Sequence, residues 1–133
     1  NMTTNFYRGK ILIADDDKGV VGLLEVFFKN KKFEVITAYD GLETKKKIDE
    51  EKPGILLLDL KMPGMDGEEL LKYIEDNKID ISVIIVTGHP GYIKKKKLLE
   101  KCYDYIVKPF DLNYLNTTVL TKVVLAIEES TVN

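Results

Sequence analysis

One cysteine and one histidine, Cys102 and His89, are all that this 133-residue chain holds of either type. A lone thiol excludes an internal disulfide framework and fits a reducing cytoplasm. No His or Cys cluster is on offer for a soft metal. Charge of one sign is missing too: 20 basic and 22 acidic residues leave a net charge of −2. No global field therefore points to nucleic acid or a membrane surface. No apolar run approaches the roughly 20 residues needed to cross a bilayer. Asn1 to Asn5 lack the basic end and apolar core of a signal peptide. Residues 1–9 are expected to be a disordered or expression-derived terminus, and 130–133 a short tail. Neither an internal repeat nor a low-complexity linker breaks the remainder, 10–129. An apolar content of 44% and a charged content of 32% suit one globular domain there, long enough for one real core.

What is present is alternation. Lys10 to Ala14, Phe33 to Ala38, Gly54 to Leu58, Ile81 to Val86 and Tyr105 to Val107 read as short apolar strands. Between them lie helical patterns over Lys18 to Lys29, Leu42 to Glu51, Glu68 to Asp76 and Ile93 to Lys101, with a final helix over Asp111 to Glu129. Repeated βα alternation predicts a parallel sheet covered by helices on both faces. Right-handed crossovers restrict the winding. The expected fold is α/β, a doubly wound, flavodoxin-like sheet of order 2-1-3-4-5.

The carboxyl ends of those strands carry the chemistry. Strand 1 delivers Asp15, Asp16 and Asp17, strand 3 Asp59, strand 4 Thr87, and strand 5 Lys108. In a parallel sheet these ends share one edge, where open α/β folds place their ligands. Asp17 reads as the cap of the first helix. Crowded carboxylates raise one another's pKa unless a cation sits among them. Oxygen donors alone select a hard ion, Mg²⁺ before Zn²⁺. A lysine and a hydroxyl opposite the acids suit an anion beside that metal. Together they describe a phosphoryl pocket in which Asp59 could be the nucleophile.

The segments ILIADDD, LLLDLKMPGMDG, IIVTGH and DYIVKPF, in that order, resemble the signature segments of the receiver domain of two-component response regulators. The similarity runs from Lys10 to Ile127. The resemblance implies that Asp59 is the phosphoacceptor, taking its phosphoryl group from a sensor histidine kinase or a histidine phosphotransfer protein. It implies Mg²⁺ as cofactor, held by Asp16 directly, by Asp15 partly through water, by Asp59, and by the backbone carbonyl of Lys61. Thr87 and Lys108 would bind the phosphoryl oxygens, and Tyr105 would be the aromatic switch residue acting with Thr87. The Lys108–Pro109 bond is implied to be cis. The output surface would be helix 4, strand 5 and helix 5, which could also serve a homodimer. Contact with nucleic acid by this domain itself, or with a membrane, is not expected, nor is multiple-turnover enzyme activity.

Some residues depart from the family pattern. Lys101 and Cys102 stand where Gly and Ala are frequent, which removes the easy left-handed cap of helix 4. Lys45 and Lys47 occupy positions of helix 2 that are often apolar. The Lys94–Lys97 run reads as a solvated face or as a patch for an acidic partner. The side chains of Lys61 and His89, each two residues past a pocket residue, would flank the path of hydrolytic water and modulate the phosphoryl lifetime. Two rival readings are a Mg²⁺-dependent phosphatase with an aspartyl-phosphate intermediate, and a receiver-like interaction module that never uses phosphate. The phosphatase would want an acid at position 61, which is lysine. A flavodoxin-type FMN site would want a Ser/Thr-rich loop after strand 1, which is absent.

Overall fold

The computed structural model describes residues 9–132; the expectation for the first eight residues lies outside the described residues. Five parallel strands form one sheet of order β2-β1-β3-β4-β5. They are β1 (Lys10–Ala14), β2 (Glu34–Ala38), β3 (Ile55–Asp59), β4 (Ser82–Thr87) and β5 (Asp104–Val107). The helices are α1 (Lys18–Asn30), α2 (Gly41–Glu51), α3 (Gly67–Asp76), α4 (Pro90–Lys95) and α5, 112–132. The expected doubly wound architecture is the one observed.

The sheet is buried on both faces, and side-chain direction alternates along each strand. Ile11, Ile13, Ile55, Leu57, Ile84 and Val86 meet α1 and α5 through Phe28, Leu24, Val119 and Val123. Leu12, Leu56, Leu58, Val83 and Ile85 face the other way, toward Leu70, Ile74, Ile93 and Leu98. Strands wanted on both faces need continuous apolar runs, which is why KILIA and ILLLD each carry a polar residue only at one end.

Four helices start at an aspartate whose carboxylate accepts from backbone N–H groups of the first turn: Asp17, Asp40, Asp66 and Asp111. Each satisfies donors that the helix itself leaves unpaired. The fifth helix, α4, starts at His89 with no side-chain cap.

Helix 4 departs from expectation. A continuous helix over Ile93 to Lys101 does not form. The helix starts earlier, at Pro90, stops at Lys95, and gives way to a 3₁₀ turn over Leu98–Glu100. The left-handed residue is Lys97, at φ 53°, not Lys101. Proline suits the first helical turn, which sets the early start. The break lets both Ile93 and Leu98 reach the core, which an unbroken register would not require. Lys45 and Lys47 are not loosely packed: Lys45 stands over the Tyr73 ring at 4.5 Å, and Lys47 donates to the Thr37 carbonyl at 3.0 Å. The last helix runs past Glu129 to Val132 and contains a π-helical stretch, Leu115–Val119.

The free side of β5 is covered by side chains. Tyr105 N–H donates to Asp104 Oδ1 (2.8 Å), and Val107 N–H donates to the Tyr114 hydroxyl (2.9 Å). The Tyr105 carbonyl accepts from Lys122 Nζ at 2.6 Å, and that ammonium also pairs with Asp104 (3.3 Å) and stands 4.9 Å from the Tyr105 ring centroid.

Candidate functional site

The polar residues at the strand ends converge. Asp15 follows β1 and is almost completely buried. Its Oδ1 accepts from Asp17 N–H at 2.9 Å, and its Oδ2 lies 2.7 Å from Lys108 Nζ. Asp59 closes β3; its Oδ1 accepts from Lys61 N–H at 3.1 Å and its Oδ2 is 3.7 Å from Lys108 Nζ. Asp16 is exposed at the rim. One oxygen from each of Asp15, Asp16 and Asp59 lies within 4.8 Å of the others.

Lys108 enters this group from the end of β5. Its N–H donates to the Thr87 carbonyl at 2.8 Å, tying the end of β5 to the end of β4. The bond to Pro109 is cis, as the resemblance implied. Thr87 ends β4, and its Oγ1 accepts from His89 N–H at 2.9 Å. The side chains of Lys61 and His89 are exposed beside the pocket. Tyr105, on β5, packs against the second core cluster and is held by Lys122 rather than by any pocket residue. The Lys94–Lys97 run is exposed throughout.

The electrostatics follow from burial. Asp59 is pushed up to about 6, first by burial and then by the Asp15 charge, against the lowering effects of the Lys61 N–H and the Lys108 ammonium. Burial alone would lower Lys108, but its close pairing with Asp15 and the charges of Asp59 and Asp17 outweigh it and hold the ammonium above its ordinary value. The site is a set of carboxylates with one cation for company. Asp15 Oδ2 makes no hydrogen bond of good geometry and has the Lys108 ammonium as its charge partner. A buried carboxylate oxygen in that state, with only oxygen donors around it, fits a hard divalent ion.

A cavity of about 550 Å³ opens beside Asp59, between the β3–α3 and β4–α4 loops. Thr87, Lys61 and His89 line it, as do Glu68 and Tyr92. Sequence reasoning missed the last two. Neither lies at a strand end, and their meeting depends on where α4 begins.

Two glycines hold the loop that leaves Asp59. Gly41 N–H donates to the Pro63 carbonyl, and Gly67 N–H to the Leu60 carbonyl, both at 3.0 Å. A Cβ on Gly41 would stand 1.8 Å from the Met65 carbonyl oxygen, and one on Gly67 would stand 2.5 Å from Leu60 Cα. Residues 60–66 are thereby pinned from both sides.

Fold and pocket together define a doubly wound domain with an acidic centre at its strand ends. The response regulator receiver domain family matches this chain over residues 11–120. The alkaline phosphatase synthesis transcriptional regulatory protein PhoP of Bacillus subtilis is 35% identical over 111 residues, 83% of this chain and 46% of that protein. The chain thus spans about half the length of this curated relative. A signal receiver domain from Vibrio parahaemolyticus superposes with a TM-score of 0.81 at 30% identity, covering 95% of this chain and 98% of that one. The response regulator protein TrrA from Thermotoga maritima, solved in complex with Mg²⁺ and BeF, gives a TM-score of 0.73 at 28% identity, covering 85% of this chain and 97% of that one. This chain belongs to the response regulator receiver domain family: it is the receiver domain of a two-component response regulator. No helix among the described residues is long and apolar enough to cross a membrane.

Proposed function

We propose that Asp59 is the phosphoacceptor of this receiver domain and that the unit comprises residues 10–129. The observation that carries this reading is the meeting of Asp15, Asp59 and Lys108 from three strand ends, with Lys108 Nζ 2.7 Å and 3.7 Å from the two carboxylates. An Asp59 oxygen attacks the phosphorus of a phosphohistidine on a sensor histidine kinase or phosphotransfer protein. The new O–P bond forms as the P–N bond breaks, and the electron pair returns to the imidazole nitrogen. The Lys108 ammonium and the Thr87 hydroxyl take the phosphoryl oxygens, so the protein contributes mainly positioning and charge. Mg²⁺, when bound by Asp15, Asp16, Asp59 and the Lys61 carbonyl, supplies further charge neutralisation. That TrrA binds Mg²⁺ with BeF supports the same ion here.

Phosphorylation then biases the surface of α4, β5 and α5 through Thr87 and Tyr105, with a partner or a second copy reading it. The domain catalyses only its own phosphorylation and dephosphorylation and works in the cytoplasm. Mass spectrometry after treatment with acetyl phosphate and Mg²⁺ tests the assignment. One phosphoryl group is expected on the natural protein and none on Asp59→Asn; labelling that survives the substitution refutes it. The exposed Lys61 side chain beside the cavity shields the acyl phosphate from water. Lys61→Asn is expected to speed dephosphorylation, and an unchanged or slower decay would remove that role.

A further inference from the structure

The cavity beside Asp59 is bridged on its outer side by a contact that the pocket chemistry does not require. The Tyr92 hydroxyl, on α4, donates to Glu68 Oε2, in the first turn of α3. The same bond holds the Tyr92 phenol above its ordinary pKa. Both residues line the cavity with Asp59 and Thr87.

The bond matters because α4 is weakly built. It has six residues, no side-chain cap at His89, and a left-handed break at Lys97. A helix that short has little stability of its own. Its apolar hold comes from Ile93 and the half-buried Tyr92 ring, with Leu98 in the turn that follows. Among the described residues, the tie to Glu68 is the polar tether between α4 and α3. Capped by Asp66, whose Oδ1 accepts from Glu69 N–H at 2.9 Å, α3 is a firm anchor.

We propose that Tyr92 and Glu68 form a latch that positions α4, and with it the β4–α4 loop that follows Thr87, over the cavity beside Asp59. Both are positioning residues. The closed latch narrows the approach to the carboxylate, so releasing it admits a small phosphodonor more readily. This functional consequence rests on the reading of Asp59 as phosphoacceptor; the latch itself does not.

Hydrogen exchange on the whole unphosphorylated protein tests the latch directly. Tyr92→Phe keeps the ring and removes only the hydroxyl. Amides of α4 are expected to exchange about fivefold faster, with the sheet unchanged. Glu68→Ala should do the same, and the double variant should add nothing further, because both changes break one bond. Glu68→Gln, whose side-chain carbonyl still accepts from Tyr92, should restore near-natural exchange. It also separates the latch from the favourable charge of Glu68 at the start of α3. Labelling by acetyl phosphate with Mg²⁺ is expected to run about threefold faster in Tyr92→Phe. Natural exchange in Tyr92→Phe, or additive effects in the double variant, would overturn the latch. If exchange responds but the natural protein takes no label, the latch stands and the phosphoacceptor reading falls.

Discussion

Gly41→Ala is expected to destabilise the protein by about 3 kcal/mol, the upper end of the usual cost of overpacking, because the atoms it meets cannot move aside. The new methyl would meet the Met65 carbonyl oxygen at 1.8 Å, and Met65 C and Cα at 2.6 and 2.8 Å. These are backbone atoms, so no rotamer change relieves the clash. Gly41 is needed for close approach and not for an unusual φ; the positive-φ glycine of this region is Gly64. Either α2 shifts away from the β3–α3 loop, or the loop lifts and loses the bond from Gly41 N–H to the Pro63 carbonyl. That loop supplies the N–H on Asp59 Oδ1, so the damage should reach the pocket. Against a typical total stability of about 5–15 kcal/mol, the urea midpoint should fall sharply. An alanine variant with the natural midpoint would mean that α2 and the loop are not in contact.

Asp59→Asn should do the reverse and stabilise the metal-free protein at pH 8, by about 2 kcal/mol. The folded Asp59 holds its proton up to about 6, against an ordinary value of 3.8. Below that ordinary value both states are protonated and the residue has no effect. As pH rises, the unfolded chain releases its proton first, so folded stability falls. The loss is complete once pH passes about 6. The gap corresponds to about 3 kcal/mol; the side chain is 15% exposed, and solvent screening brings the expectation down to about 2. Asparagine keeps an acceptor for Lys61 N–H and carries no charge. Urea titrations at pH 4 and pH 8 check the sign: the gain should be large at the higher pH and much smaller at the lower, which lies just above the ordinary value. Mg²⁺ should shrink it by relieving the natural protein. Equal midpoints for the two proteins at pH 8 would show that Asp59 is not strained by its neighbours.

The strand ends, and with them the pocket, were legible in the sequence for one reason. A strand buried on both faces must be an unbroken apolar run, so the first polar residue after it marks the strand end. Asp15, Asp59, Thr87 and Lys108 all stand at that mark or one residue beyond it. The position of Asp17 as a helix cap was legible through its local chemistry. Helix 4 was not. Its break falls at Lys97, where a lysine adopts a left-handed backbone that favours glycine, and no local rule announces it. What decides the break is the demand of Ile93 and Leu98 for the core. The role of Gly41 and Gly67 is contact with a loop, more than twenty residues away for Gly41 and folded back on itself for Gly67. Such contacts exist only once the sheet is assembled, and so does the bond between Tyr92 and Glu68.

The cover on β5 limits how this domain can be read. Outward amides and a carbonyl at a sheet margin would otherwise invite a neighbouring chain to join as a sixth strand. Here Asp104, Tyr114 and Lys122 already occupy them. A partner on this side therefore meets tyrosine and lysine side chains where these three backbone groups would otherwise stand open. Recognition there is by side chains, and pairing of copies strand to strand through β5 is opposed by the same three residues.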